Sequence, residues 1–210
     1  MSTRTPDRSA KGDATRAALV AAARKLFVAN GYFATGTEDI VAEAAVGTRG
    51  ALYHHFADKQ DLFRAVFHQV QTDLAAATVI DERDDRLDML IAALQQFLDA
   101  SAENPDVQQV LLIDGPAVLG WEEWRRIDSQ HSLGMVRMIF EANIAAGNIP
   151  PQPVEPLAHL IVGALNEAAL AVAAAEDAAG ARESFAVSME GVLDALRAMA
   201  TDTPKRAAHQ

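Results

Sequence analysis

Apolar side chains recur along almost the whole chain at intervals of three and four residues, the spacing that lines one face of an α-helix. No convincing run alternates β-branched and polar residues, as a half-buried strand would. The pattern therefore predicts an all-α fold of about nine helices. The first helix ends at Asn30-Gly31, because these residues readily adopt left-handed backbone angles. Its apolar face consists of Leu19, Ala22, Ala23, Leu26 and Phe27.

Capping and turn residues delimit three further helices in the N-terminal part of the chain. Thr37 is the predicted N-cap of the second helix, and Glu38 in its first turn suits the helix dipole. Gly47 makes a tight turn into a short third helix, which extends from Thr48 to His55. Asp58 is the predicted N-cap of a longer fourth helix. The apolar residues of that helix are Leu62, Phe63, Val66, Phe67 and Val70.

Proline, glycine and charged residues separate the helices further along. A fifth helix is predicted from about Arg86 to Ala102, and Asn104-Pro105 ends it and lets a sixth begin. A longer helical stretch is predicted from Asp114 to about Ala145, where Gly120 and Gly134 are expected to bend it.

A proline-rich connector over residues 150–156 leads to two last helices, predicted over 157–175 and 185–200 and separated by Gly180. Both are rich in alanine, which lets helices approach closely, so that two helices from each of two chains would form a four-helix interface. Alternatively, both apolar faces complete the core of a single chain. The residues predicted for the dimer interface are Leu157, Ile161, Leu165, Ala168, Phe185, Met189, Val192 and Leu196.

Residues 37–59 have the dimensions of a helix-turn-helix, in which a first helix braces a second one that enters the major groove of DNA. Arg49 can form two hydrogen bonds with the O6 and N7 atoms of a guanine. Hydroxyl, imidazole and ammonium groups nearby can bind phosphate oxygens. The alternative for each residue is a solvated surface position or, for an aromatic side chain, a place in the core. The predicted DNA contacts are Thr37, Thr48, Arg49, Gly50, Tyr53, His54, His55 and Lys59.

The run from Thr48 to Lys59, TRGALYHHFADK, followed by QDLF, resembles the signature of the TetR family of bacterial regulators. The helix over 14–30, the pair Gly31-Tyr32 and Thr37 match the same pattern in order and spacing, so the resemblance covers residues 12–65. It implies a repressor that binds palindromic operator DNA as a homodimer. It also implies release of that DNA by a small-molecule effector, here expected to be largely apolar.

The resemblance assigns roles to individual residues. Thr37 would cap its helix and contact a phosphate, and Phe56 would pack inward. The residues at the groove would be Thr48, Arg49 and Gly50. The residues that hold the DNA backbone would be Tyr53, His55 and Lys59. The segment before the first helix resembles the basic arm that some members place in the minor groove, and its basic residues are Arg4, Arg8 and Lys11.

The predicted domains are a flexible arm over 1–11, a DNA-binding domain over 12–60, a helical ligand-binding and dimerisation domain over 61–202, and a flexible tail over 203–210. Residues 111–121 resemble a stretch that recurs in a subset of TetR proteins. The effector candidates line an apolar cavity in one interpretation and pack solidly against one another in the other. They are Leu94, Phe97, Leu112, Asp114, Trp121, Trp124, His131 and Met135.

The formal net charge of −11 argues against DNA binding until its distribution is considered. Residues 1–60 carry eight basic and six acidic side chains, whereas the remaining 150 residues carry ten basic and 23 acidic ones. This asymmetry places any DNA contact in the N-terminal part of the chain.

Neither a metal, a cofactor nor catalytic machinery is predicted. The chain has no cysteine, its six histidines lack metal-ligand spacing, and no phosphate loop or nucleophile elbow occurs. No apolar run reaches the roughly 18 residues of a membrane span, so a cytoplasmic protein without membrane contact is expected. The alternatives to an inducible repressor are a DNA-binding protein without an effector and, less favoured, a helical enzyme.

Overall fold

The structure is a computed structural model that describes residues 8–77 and 86–201 of the 210-residue chain. Over these ranges it contains nine α-helices and one π-helix, without a β-strand. The prediction of an all-α fold is therefore confirmed. The α-helices are α1 (Arg8–Asn30), α2 (Thr37–Glu43), α3 (Arg49–His55), α4 (Lys59–Ala77), α5 (Arg86–Glu103), α6 (Gly115–Leu119), α7 (Trp121–Ala146), α8 (Val154–Ala174) and α9 (Ala178–Thr201); the π-helix is Val107–Asp114.

The helices form two compact units. The N-terminal unit contains residues 8–75 and 105–121, and the C-terminal unit contains residues 76–77, 86–104 and 122–201. The N-terminal unit thus extends beyond the predicted domain boundary at residue 60. It does so because α4 shares an aromatic cluster with α1 and because the π-helix packs against α1.

The aromatic cluster of the N-terminal unit consists of Phe27, Tyr32 and Phe63. Their ring centroids lie 5.3–5.6 Å apart in tilted and edge-to-face arrangements, which favour aromatic contact. Leu19, Ile40 and Leu52 are fully buried, and α1 contacts both α2 and α3. The two short helices are therefore held on a well-packed base.

The core of the C-terminal unit lies where α5 packs against α8 and α9. Its fully or almost fully buried side chains include Leu90, Leu98, Phe140, Val172 and Leu193. Contrary to the prediction that no apolar run reaches the length of a membrane span, α8, alone among the described helices, is long and apolar enough to cross a membrane. Its buried face belongs to this core, and core helices commonly meet the same test of length and composition.

Two helix starts in the N-terminal unit differ from the predictions. α1 begins at Arg8, so Lys11 lies in a helix rather than in a flexible arm, whereas Arg4 and the predicted tail lie outside the described residues. The N-cap of α2 is Gly36, and Thr37 is the first helical residue. The carboxylate of Asp39 accepts a 3.1 Å hydrogen bond from the Gly36 N–H and so takes over part of the capping.

Glycines act differently from the predictions in two places, at Gly120 and Gly180. Gly120 has a φ of +79° and ends α6, so the stretch from Asp114 is broken there and not merely bent. Gly134 lies within α7, and the bend predicted there stays a prediction. Gly180 lies in the first turn of α9, and its N–H donates to Oδ1 of Asp177 at 3.0 Å. Asp177 therefore caps α9, and the two last helices are separated before Gly180.

Candidate nucleic-acid interface

The turn between α2 and α3 depends on two residues with positive φ. Ala45 has a φ of +53° and Gly47 a φ of +88°. The first value is uncommon for a residue with a side chain, and the second suits glycine. After the turn, Leu52 is buried beneath α3, and the opposite face of α3 is directed to solvent. The segment therefore has the geometry of a helix-turn-helix.

The solvent face of α3 carries most of the predicted DNA contacts. Thr48, Arg49, Gly50, Tyr53 and His54 are exposed. Thr37, the first residue of α2, and His55, the last residue of α3, are half-buried. Phe56 is buried as predicted, with the guanidinium of Arg16 5.1 Å from its ring centroid.

A side-chain cluster on this face joins α2 to α3. Nη1 of Arg49 donates to Oε1 of Glu38 at 3.0 Å, and Nη2 of Arg49 lies 3.4 Å from the Tyr53 hydroxyl. The hydrogen bond with Tyr53, followed by attraction to Tyr53 and Glu38, raises the pKa of Arg49. The hydrogen bonds with Arg49 and then with Thr37 lower the pKa of Tyr53. Three predicted residues thus meet a fourth, Glu38, which the sequence assigned only to the helix dipole.

Lys59 lies apart from this cluster. Its ammonium donates to the backbone oxygens of Tyr32 at 2.8 Å and Thr35 at 2.9 Å, and it lies 3.9 Å from the centroid of the Tyr32 ring. Burial lowers the pKa of Lys59, and attraction to Asp114 partly offsets this effect. The ammonium therefore bridges two backbone oxygens of the α1–α2 connection, and its predicted phosphate contact stays a prediction.

The predicted effector residues divide between the two units. Leu112, Asp114 and Trp121 belong to the N-terminal unit, and Leu94, Phe97, Trp124 and Met135 belong to the C-terminal one; the side chain of His131 lies outside the described residues. Leu94 lines a cavity between α5 and α9 of about 10 Å³, which holds at most one water molecule. Trp124 is buried, whereas Trp121 is 54% exposed.

Asp114 has a structural partner. It is buried, and its Oδ2 accepts a 2.8 Å hydrogen bond from the backbone N–H of Tyr32. At the other end of the π-helix, Arg24 of α1 pairs with Asp106 at 2.6 Å and also with Asp73 of α4. One end of the π-helix is thus fixed to α1 and the other to Tyr32, just after α1.

Gln71 of α4 is a buried polar residue that the sequence interpretation missed. It is 8% exposed, and its Oε1 has no hydrogen-bond partner among the described residues. Buried acceptors normally receive a hydrogen bond, so the Gln71 oxygen lacks a donor that such atoms usually have. The only signal in the sequence was a glutamine beside the apolar run of α4, next to Val70.

Most side chains predicted for the dimer interface lie in the chain's own core. Ile161, Leu165, Ala168 and Met189 are buried in the C-terminal unit, and Leu157, Phe185 and Leu196 pack against that core. Val192 is 49% exposed. The apolar faces that carry these residues therefore contribute to the core of a single chain, which was the alternative to a dimer interface.

No group of three or more His, Asp or Glu side chains that could hold a metal ion occurs in the described part of the chain. The site therefore consists of the two short helices α2 and α3, with basic and hydroxyl-bearing side chains exposed on one face. Such a pair defines a DNA-binding protein of the helix-turn-helix class.

Comparison with family models places the chain more closely. Residues 19–66 match the bacterial regulatory proteins of the tetR family, and residues 87–196 match the tetracyclin repressor-like C-terminal domain. The chain therefore belongs to the TetR family of transcriptional regulators.

Relatives and solved structures agree with this assignment. The transposon Tn10 TetC protein of Escherichia coli is 27% identical over 189 residues, which cover 87% of this chain and 92% of TetC. The crystal structure of a TetR-family regulator from Pectobacterium atrosepticum is 32% identical, with a TM-score of 0.77 over 92% of this chain and 98% of that one. The structure of RolR in complex with resorcinol shares the fold, with a TM-score of 0.70 at 21% identity over 93% and 97% of the two chains.

Proposed function

We propose that the protein is a transcriptional repressor that binds an inverted-repeat operator as a homodimer through α3 and releases it when a small molecule binds. The observation that carries the DNA-binding role is the cluster of exposed Arg49 and Tyr53 with half-buried Thr37, which brings a guanidinium and hydroxyl groups together. The excess of basic over acidic residues in the first 60 positions supports a DNA contact in the same part of the chain.

Exposed residues of α9 support a dimer. A stripe of uncharged, mostly small side chains follows one solvent face of this helix; we call it the α9 stripe. Leu160 of α8 is also 70% exposed. Exposed apolar faces of this kind are typical of interfaces, and two recognition helices double the contact with DNA. The α9 stripe consists of Ser184, Val187, Ser188, Gly191, Val192, Ala195, Ala198 and Met199.

The effector in this proposal has an apolar body and at least one hydrogen-bond donor. The donor is suggested by Gln71, whose buried Oε1 would be satisfied by a hydroxyl or N–H group. RolR, which shares the fold, is a protein in complex with resorcinol, a ring with two hydroxyl groups. The protein acts in the cytoplasm, where its DNA lies, and has no catalytic step.

The proposal is tested by selecting binding sites from a random duplex library and measuring the affinity of the recovered sequence. We expect an inverted repeat whose half-sites are separated by one or more helical turns of about 34 Å. A compound screen then scores release of this duplex together with tryptophan fluorescence, since Trp124 is buried. Recovery of no preferred sequence would exclude the DNA-binding role. A duplex that no compound releases would favour the alternative without an effector.

A further inference from the structure

The Arg49 guanidinium is held between α2 and α3 by contacts within the chain. Its Nη1 atom donates to Glu38 of α2 at 3.0 Å, and its Nη2 atom lies 3.4 Å from Tyr53 one turn further along α3. The guanidinium carbon lies 5.8 Å from the centroid of the Tyr53 ring. The side chain of Glu38 is 76% exposed.

This ion pair contributes little to the stability of the fold. Both side chains are largely exposed, and exposed pairs are screened by water and salt. A carboxylate beside the recognition helix also repels the phosphate backbone. Its effect is therefore to be sought in the encounter with DNA.

We propose that Glu38 is a specificity-determining residue that positions Arg49 and weakens binding to non-cognate DNA. This inference rests on the proposed function, because it assumes that α3 meets the major groove. An unrestrained arginine binds any phosphate, and such contacts supply most of the non-specific affinity of DNA-binding proteins. With Glu38 present, the guanidinium of Arg49 is held in one orientation. It then adds affinity only for a duplex in which a guanine presents O6 and N7 to it together.

Glu43 offers a matched control on the same helix. It is also an exposed carboxylate of α2, but it pairs with Lys25 of α1 at 2.6 Å and not with the recognition helix. Glu38→Gln and Glu43→Gln each remove one negative charge from α2 and keep the shape of the side chain. A difference between the two variants therefore reports the contact with Arg49 rather than net charge.

The experiment measures the affinity of the full chain for two duplexes by fluorescence anisotropy over a salt series. One duplex carries the selected operator, and the other carries the same bases in scrambled order. In Glu38→Gln, we expect the ratio of operator to scrambled affinity to fall by at least about fivefold, mainly because scrambled DNA binds more tightly. Glu43→Gln should change this ratio much less.

A double-mutant cycle with Arg49→Ala separates positioning from a direct effect on DNA. In the Arg49→Ala background, Glu38→Gln should no longer change the ratio. An effect of Glu38→Gln that persists without Arg49, or that Glu43→Gln reproduces, overturns the inference. So does an unchanged ratio in a variant whose circular dichroism matches the wild type. Failure of the wild type to select any duplex overturns the proposed function itself, which distinguishes the two failures.

Discussion

The carboxylate of Asp114 accepts a hydrogen bond from the backbone N–H of Tyr32, 82 positions earlier in the chain. Asp114 is the last residue of the π-helix, and Tyr32 follows the C-terminus of α1. A π-helix is a rare conformation that occurs frequently at functional sites. This contact and the pair formed by Arg24 and Asp106 hold the π-helix within the N-terminal unit, which also carries α2 and α3.

Asp114→Ala should lower the free energy of unfolding by about 1–3 kcal/mol, because it leaves the Tyr32 N–H without its acceptor. Asp114→Asn keeps a carbonyl oxygen and should lose less. Urea denaturation measures both values. Asp194→Ala, which removes an exposed carboxylate from α9, is the control and should change stability by less than about 0.5 kcal/mol. Equal losses in the two alanine variants would show that the Asp114 contact contributes nothing.

Lys59 should make stability depend on pH in alkaline solution. Its pKa in the folded chain lies below the ordinary value of 10.5 because of burial. Between the lowered value and 10.5 the unfolded chain binds more protons, so the free energy of unfolding should rise with pH across this window. Below this pH window, the lowered pKa of Lys59 means that its charged form reduces the free energy of unfolding.

The measurement compares urea denaturation of the wild type and Lys59→Met over the same pH range. Burial also raises the pKa of Tyr32 above its ordinary value of 10.0, which lowers stability as the pH rises past that value in both proteins, so the comparison is made by difference. The wild type should gain stability relative to the variant as the pH approaches 10.5. A difference that is constant with pH would contradict the lowered pKa.

Gly191→Arg should convert a dimer into a monomer. A Cβ atom at Gly191 meets nothing within 4 Å in the single chain, and replacing a helical glycine favours the helix, so the chain should still fold. In a dimer that uses the α9 stripe, the same arginine would bury a charge at the interface. Sedimentation at micromolar concentration measures the effect. Ala179→Arg, at an exposed position of α9 outside the stripe, should remain dimeric; a dimer in both variants would place the interface elsewhere.

Gln71→Leu should raise the free energy of unfolding by about 1 kcal/mol, because it removes a buried acceptor that lacks a donor. Gln60→Leu is the matched control on the same helix. The side chain of Gln60 donates to the backbone oxygen of Val118 at 2.7 Å, so its loss should be destabilising. Thermal denaturation of the two variants should therefore shift in opposite directions. A destabilised Gln71→Leu would mean that the oxygen is satisfied in solution.

Much of the fold follows from local sequence signals, but contacts between helices do not. The start of α4 was predicted because Asp58 caps it locally, and its Oδ1 accepts the N–H of Asp61 at 2.7 Å. Glu38 could not be paired with Arg49 in advance, because their distance depends on the angle between α2 and α3. Likewise, Asp114 was predicted as an effector contact, because nothing in the local sequence shows that its carboxylate accepts a hydrogen bond from the Tyr32 N–H.

The faces of α8 and α9 show a second limit of sequence interpretation. Their alanine-rich sequences place apolar residues on more than one side, so helical periodicity alone cannot tell which side enters the chain's own core. Ile161 and Met189 are buried there, whereas Leu160 and Val187 face solvent. Packing against α5 decides between the two sides.

The hydrogen bond and ion pair that fix the π-helix have a consequence for synthesis of the chain on the ribosome. The N-terminal unit is discontinuous, and Arg24 and Tyr32 receive Asp106 and Asp114 only after α4 and α5 have been translated. Its folding therefore ends later than its position at the N-terminus suggests. For the same reason, a chimaera joined at residue 60 would transplant the recognition helix without residues 105–121. A construction that exchanges this segment as well would keep the unit whole.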